Sequence, residues 1–157
     1  EHYLKTGSYM PIPGDTSAEL TNRKAGTFVS LHKDGQLRGC IGTISPNTNS
    51  IAEEIIHNAV SAGTGDPRFD PVRKDELSRI EYSVDVLSEP EDISSKDELD
   101  HTRYGVIVES GRRRGLLLPN LDGVNSVDQQ LDIALQKAGI SRHESFTMQR
   151  FEVVRYK

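Results

Sequence analysis

The stretch GTFVSLHKDGQLRGCIGTI, residues 26–44, decides the fold. Asp34-Gly35 divides it into two runs, Gly26 to Lys33 and Gln36 to Ile44. Asp-Gly between alternating runs is a strong signal for a two-residue hairpin, because both turn positions need positive φ. A tight turn pairs Lys33 with Gln36 and sets Val29 opposite Cys40. Strand side chains alternate, so Val29, Leu31, Arg38 and Cys40 are expected on one face. Phe28, Ser30, His32, Leu37 and Ile41 are expected on the other.

Working outward, YMPIPGDT before the hairpin reads as a loop, and residues 1–9 read as the end of a helix whose beginning is missing. After the hairpin, Ser50 and Glu53 form a capping box that opens a helix with Ile51, Ile55, Ala59 and Ala62 on one stripe. Gly63 and Gly65 are expected to end it. GDPRFDPV, residues 65–72, carries two Asp-Pro pairs, which hold the backbone extended or looped. Residues 76–79 suggest a short turn. Ile80, Tyr82, Val84 and Val86 alternate with Glu81, Ser83 and Asp85, the pattern of a half-buried strand. Residues 89–100 read as a polar surface connection with a helical turn.

A second hairpin is expected from Tyr104 to Leu118 around Gly111-Arg112-Arg113-Arg114. Ser126 and Gln129 cap a second helix with Val127, Leu131, Leu135 and Ala138 on its stripe, closed by Gly139. Phe146 to Tyr156 reads as a final strand. Hairpins mixed with two good helices make the class α+β, in a single domain spanning 1–157.

Composition narrows the function. Lys plus Arg is 19 and Asp plus Glu is 24, a net charge of −5, which disfavours binding nucleic acid by charge alone. A single cysteine can form neither an internal disulfide nor a cysteine-rich zinc site, and it fits a reducing, cytoplasmic setting. No apolar run approaches the ~20 residues that a membrane helix needs. No pair of histidines has metal-ligand spacing and no HExxH motif occurs, so no metal site is expected and no cofactor is indicated.

Two motifs carry chemistry. The thiolate is the reactive form of cysteine, and a nearby cation favours it. Cys40 is flanked by Gly39 and Gly42 and follows Arg38 by two residues. Glycines let a ligand approach the backbone, or they admit a packed helix around a small buried thiol. His32 lies on the neighbouring strand, but the derived register puts it on the face opposite Cys40 and sets it aside as a catalytic partner. Asp66-Pro67-Arg68-Phe69-Asp70-Pro71 is a stiff ionic loop. Asp66 and Arg68 there either bind a polar substrate, with Asp66 as an acid–base group, or lock the loop as an ion pair. Arg112 to Arg114 make a basic hairpin tip whose simplest reading is a solvated turn.

LRGCIG (37–42) followed by DPRF (66–69), with LLLP (116–119) and Lys137-Ala138-Gly139, resembles the AMMECR domain family, called AmmeMemoRadiSam system protein A in prokaryotes. The likeness runs from Gly26 to Phe151. It implies an α+β fold built on a curved, largely antiparallel sheet with the two main helices packed on it. It also implies association or fusion with a Memo-like domain, related to extradiol dioxygenases, and with a radical-SAM protein. A fusion accords with a chain that starts at Glu1 rather than Met. Many members have LPQ where this chain has Leu118-Pro119-Asn120, and many have a tryptophan before the last helix and a cysteine within it, which this chain lacks.

The resemblance gathers Cys40 and Asp66 as catalytic candidates and Arg38, Gly39, Gly42 and Arg68 as substrate contacts. The expected function is an enzyme or enzyme subunit of a Memo/radical-SAM-associated system, with a Cys40-centred pocket for a small molecule or nucleobase. The alternative is a non-catalytic module that docks a Memo-like or radical-SAM partner.

Overall fold

The computed structural model describes residues 1–157. In chain order the elements are α1 (His2–Thr6), α2 (Ala18–Asn22), β1 (Thr27–Lys33), β2 (Gln36–Gly42), α3 (Ile51–Thr64), a 3₁₀ turn (Lys74–Arg79), β3 (Ile80–Leu87) and β4 (Glu91–Ile93). A second 3₁₀ turn (Lys96–Glu98), β5 (Gly105–Ser110), β6 (Arg113–Leu117), α4 (Val127–Ala138), β7 (Thr147–Phe151) and β8 (Val153–Tyr156) complete the chain. The class is α+β with two main helices on antiparallel sheet, as expected. The strands are divided between two four-stranded sheets, β2-β1-β3-β8 and β4-β7-β5-β6. The chain forms two compact units, one of residues 1–87 with 154–157 and one of residues 88–153.

In the first unit the β1–β2 turn has Asp34 at φ 53° and Gly35 at φ 80°, both in the region that Asp-Gly tolerates best. Lys33 pairs with Gln36 and His32 with Leu37, as derived. The register then shifts. Leu31 pairs with Gly39, Ser30 with Cys40 and Val29 with Ile41, so Arg38 is an extra, unpaired residue. A bulge of this kind moves every later side chain of its strand to the opposite face. The expected set of Val29, Leu31, Arg38 and Cys40 on one face is therefore corrected: Ile41 joins the core, and Cys40 faces the same side as Ser30.

Helix α3 covers the core face. Val29, Leu31, Ala62, Val72 and Ile80 form its buried centre, with Ile41, Ile55, Ala59, Leu77 and Val84 packed around them. Ser50 caps α3 by accepting the Glu53 N–H at 3.2 Å. The helix also buries two polar residues that the apolar stripe did not predict. Glu54 accepts from Thr43 Oγ1 (2.7 Å), Thr48 Oγ1 (2.8 Å) and the N–H groups of Asn47 and Thr48 (both 2.9 Å). Asn58 donates to the Thr27 carbonyl and hydroxyl and to Thr43 Oγ1. Burial alone would raise the Glu54 carboxyl, but these hydrogen bonds outweigh it and hold the group below its ordinary value. Asp85, expected on the solvent side of β3, is buried and pairs with Arg155 at 2.7 Å.

The second unit repeats the scheme of a hairpin followed by a capped helix. Ser126 accepts the Gln129 N–H at 3.1 Å, and Gly139 closes α4 at φ 70°. Leu131, Ala134 and Leu135 pack on Val106, Val108 and Leu117. The tip of its hairpin is Gly111-Arg112, and Arg113 and Arg114 belong to β6. Arg113 pairs with Glu144 and donates to the Gly139 carbonyl, so much of the basic cluster is internally compensated. The single last strand expected over 146–156 is two, β7 in one sheet and β8 in the other. No helix is long and apolar enough to cross a membrane.

Candidate functional site

The hairpin and the DPRF loop meet, and they do so through the backbone of Cys40. As an outer strand, β2 leaves alternate peptide groups without a strand partner. Asp66 and Arg68 take that place. Asp66 Oδ2 accepts the Cys40 N–H at 3.0 Å, and Arg68 Nη2 donates to the Cys40 carbonyl at 3.3 Å. The two side chains are locked to each other, with Arg68 Nε on Oδ1 at 3.0 Å and Nη2 on Oδ2 at 2.8 Å. The Arg68 N–H closes an Asx turn on Oδ1 at 3.0 Å. The Arg68 guanidinium lies 5.4 Å from the centre of the Phe69 ring.

This geometry reassigns Asp66. Each carboxylate oxygen accepts two hydrogen bonds, which leaves no vacancy for a substrate proton. Arg68, against the opposing effect of burial, holds the carboxyl well below its usual range, with help from the Cys40 and Arg68 N–H groups. A group so firmly ionised is a poor acid and a poor base near neutral pH. Asp66 holds the Cys40 peptide and aims Arg68.

Arg38 is also reassigned. The bulge turns it away from the thiol and into a bidentate pair with Glu76, Nε to Oε1 and Nη2 to Oε2, both at 3.1 Å. Its Nη1 donates to the Asp70 carbonyl at 2.7 Å. Lys33 Nζ (2.9 Å) and the Arg73 N–H (2.8 Å) complete the shell around Glu76. The hydrogen bond from Arg38 does most to keep the Glu76 carboxyl far below its ordinary value. The cation held against the Cys40 peptide is Arg68, whose Nη2 donates to the Cys40 carbonyl, while Arg38 is turned to Glu76.

The flanking glycines are not ligand windows. A Cβ on Gly39 would stand 2.2 Å from the Ala62 carbonyl oxygen at the end of α3, and one on Gly42 would stand 2.2 Å from the Phe28 ring. Both spaces are filled by the protein, which corrects the expectation of substrate contacts there. Gly39→Ala should therefore destabilise the fold by about 1–3 kcal/mol through backbone displacement. Gly42→Ala should cost less, because an aromatic ring can shift where a helix carbonyl cannot. Urea midpoints of the two variants check the order.

The thiol is half-buried on the face of the sheet away from α3. Ser30, directly across from it, points its hydroxyl at the sulfur at 3.4 Å. An open polar cleft beside the strand edge is lined by Arg38, Pro67, Arg68, Phe69 and Asp70, without Cys40. A second hollow of about 200 Å³ lies between α3 and the N-terminal residues. Its walls are mostly apolar, and neither motif reaches it.

A family model described as AMMECR1 matches residues 1–157. The chain belongs to the AMMECR1 family. It is 57% identical over 156 residues to Protein CA_C1420 of Clostridium acetobutylicum, covering 99% of this chain but 33% of that protein. A Thermotoga maritima protein is 50% identical over 159 residues, covering 100% of this chain and 91% of the relative. The crystal structure of protein PH0010 from Pyrococcus horikoshii superposes with a TM-score of 0.91 at 32% identity, over 98% of this chain and 83% of that one. In this AMMECR1-family chain the sequence reading missed Glu76, Ser30, Glu54 and Asn58. Glu76 stood in view as a carboxylate N-terminal to a strand, with no local mark of its partners 38 and 43 residues away. Ser30 was hidden by the register error.

Proposed function

We propose that this AMMECR1-family chain is an enzyme or enzyme subunit, within a Memo/radical-SAM-associated system, whose site at the β2 edge takes a small molecule with an anionic group. The observation that carries the reading is the clamp of Asp66 and Arg68 on the Cys40 peptide. It fixes a guanidinium beside a half-exposed thiol at low entropic cost. Arg68 uses Nε and Nη2 within the protein, and its Nη1 makes no internal hydrogen bond. The side chain is 56% exposed, so Nη1 is free to receive a carboxylate or phosphate oxygen. Cys40 is the nucleophile or contact group, Arg68 binds the anion, and Asp66 and Arg38 hold the two segments in place.

The test compares two alkylating reagents that differ in charge. Iodoacetate should modify Cys40 about tenfold faster, relative to iodoacetamide, than it modifies free cysteine, since ~1.4 kcal/mol of local attraction is a factor of ten. Arg68→Gln should abolish that preference. A Cys40 that resists both reagents, or a ratio equal to that of the free amino acid, would contradict the reading. The docking-module alternative draws on the Clostridium relative, whose sequence extends well beyond the third that this chain covers. Under it, Cys40→Ser keeps both partner capture and the activity of the whole system.

A further inference from the structure

The cleft beside the β2 edge holds a charge that the thiol reading leaves unused. It measures about 450 Å³, inside the ~300–1,000 Å³ common to small-molecule sites, and is lined by Arg38, Pro67, Arg68, Phe69 and Asp70. Opposite charges thus share one concave surface. Both arginines are already answered within the chain, Arg38 by Glu76 and Arg68 by Asp66. Asp70 is the only carboxylate among the lining residues. Its backbone carbonyl accepts from Arg38 Nη1 at 2.7 Å, but its carboxylate makes no hydrogen bond and no ion pair.

The loop holds these groups firmly. The Phe69 N–H donates to the Asp66 carbonyl at 3.2 Å and closes a turn over Pro67-Arg68. The Asp66 carboxylate fixes Arg68, and Arg38 grips the carbonyls of Asp70 and Pro71 at 2.7 and 3.3 Å. Charges set on a braced backbone lose little entropy when a ligand arrives. Arg68 keeps Nη1 for an anionic oxygen, and Asp70 keeps both carboxylate oxygens for a cationic N–H. Between them in the chain stands Phe69, half-buried, with the Arg68 guanidinium 5.4 Å from its ring centre. Phe69 and Pro67 give the cleft an apolar wall for the rest of the ligand.

We infer that the ligand of this cleft is a zwitterion of the amino-acid type, with its carboxylate on Arg68, its ammonium on Asp70 and its side chain against Phe69; the inference deepens the anion-binding reading and rests on it. A purely anionic ligand would leave the Asp70 charge unmatched beside its own. A purely cationic one would leave the vacant Arg68 N–H group unused. A molecule with both groups satisfies both positions, and a fixed, unfilled position is what separates a true ligand from its near analogue.

The experiment titrates the isotope-labelled chain with phenylalanine, N-acetylphenylalanine and phenylalaninamide, and follows the amide NMR signals of Arg68, Phe69 and Asp70. The three compounds share a ring and carry both charges, the negative one alone and the positive one alone. Phenylalanine should bind about tenfold more tightly than either analogue, the worth of one further charge-assisted contact. Asp70→Asn should remove the advantage over N-acetylphenylalanine without weakening the latter. The Asp70 carboxylate holds nothing in the fold, so this variant reads recognition alone. Arg68→Gln should remove the advantage over phenylalaninamide. Should that variant disturb the whole loop, seen as shifts throughout residues 65–72, Asp70→Asn decides. Equal affinities for phenylalanine and N-acetylphenylalanine in the intact chain, or a preference that survives Asp70→Asn, overturns the inference and leaves the anion site standing. Binding of phenylalaninamide alone removes the anion site as well. No perturbation by any of the three compounds overturns the inference, and the iodoacetate ratio then judges the anion site by itself.

Discussion

Glu76→Ala should lower the unfolding free energy by about 3 kcal/mol, the largest effect expected of any single substitution around the site. Glu76 is only 6% exposed, yet it answers the charges of Arg38 and Lys33 and accepts the Arg73 N–H. Removing it leaves a mostly buried guanidinium facing a void and frees a backbone donor, the costly way to break a buried ion pair. Glu76→Gln keeps the shape and some acceptor capacity and should cost less. The bulged Arg38 is held by this carboxylate, so the alanine variant should also loosen the β2 edge near Cys40. Urea unfolding with an unchanged slope measures the loss. A change below about 0.5 kcal/mol would show that solvent already screens the cluster.

Acid should destabilise the fold through the same groups. Asp66 sits well below its ordinary 3.8 and Glu76 well below its ordinary 4.5, the first chiefly through Arg68 and the second chiefly through Arg38. Both values are depressed in the folded state, so the unfolded chain binds the proton more readily. Their contribution is complete above about pH 5 and drains away as the pH falls through the ordinary carboxylate range toward the folded values. Glu76 should contribute about 2 kcal/mol to this loss. Asp66 should contribute less, because its partner Arg68 is 56% exposed and solvent screens the pair. The buried Glu54 adds to the effect in the same direction. Stability measured from pH 6 down to pH 2.5 should fall steadily in the intact chain and less steeply in an Asp66→Asn, Glu76→Gln double variant. Parallel slopes would mean that other carboxylates govern acid unfolding.

Local signals made much of this readable. Asp34-Gly35 set the turn, and Ser50 with Glu53 and Ser126 with Gln129 marked the two helix starts at their observed places. LRGCIG and DPRF were expected to converge on one hollow shared with the Cys40 sulfur; they meet at the Cys40 peptide, while the cleft beside them is lined without Cys40. The bulge was hidden because its cause is not local. Arg38 is drawn out of the ladder by a carboxylate 38 residues away, and Gly39 is fixed by a helix carbonyl that comes later in the chain. One clue was present. A regular register leaves Ile41 off the core face that Val29 and Leu31 define, and a one-residue slip puts it back. That slip changes the surroundings of the sulfur, since it trades Arg38 for Ser30 as its neighbour. The polar residues on α3 were hidden for a similar reason. Glu54 and Asn58 lie off the apolar stripe, and the threonines that satisfy them, Thr27, Thr43 and Thr48, come from outside the helix.

The central claim is that Asp66 closes the open edge of β2 at Cys40 and so makes loop and thiol strand one rigid site. Amide hydrogen exchange at Cys40, followed by NMR, reads it directly, because that N–H has no strand partner and owes its protection to one carboxylate. Slow exchange in the intact chain, with selective loss in Asp66→Ala while the amides of β1 stay protected, is the predicted result. A Cys40 amide that exchanges freely in the intact chain would contradict it.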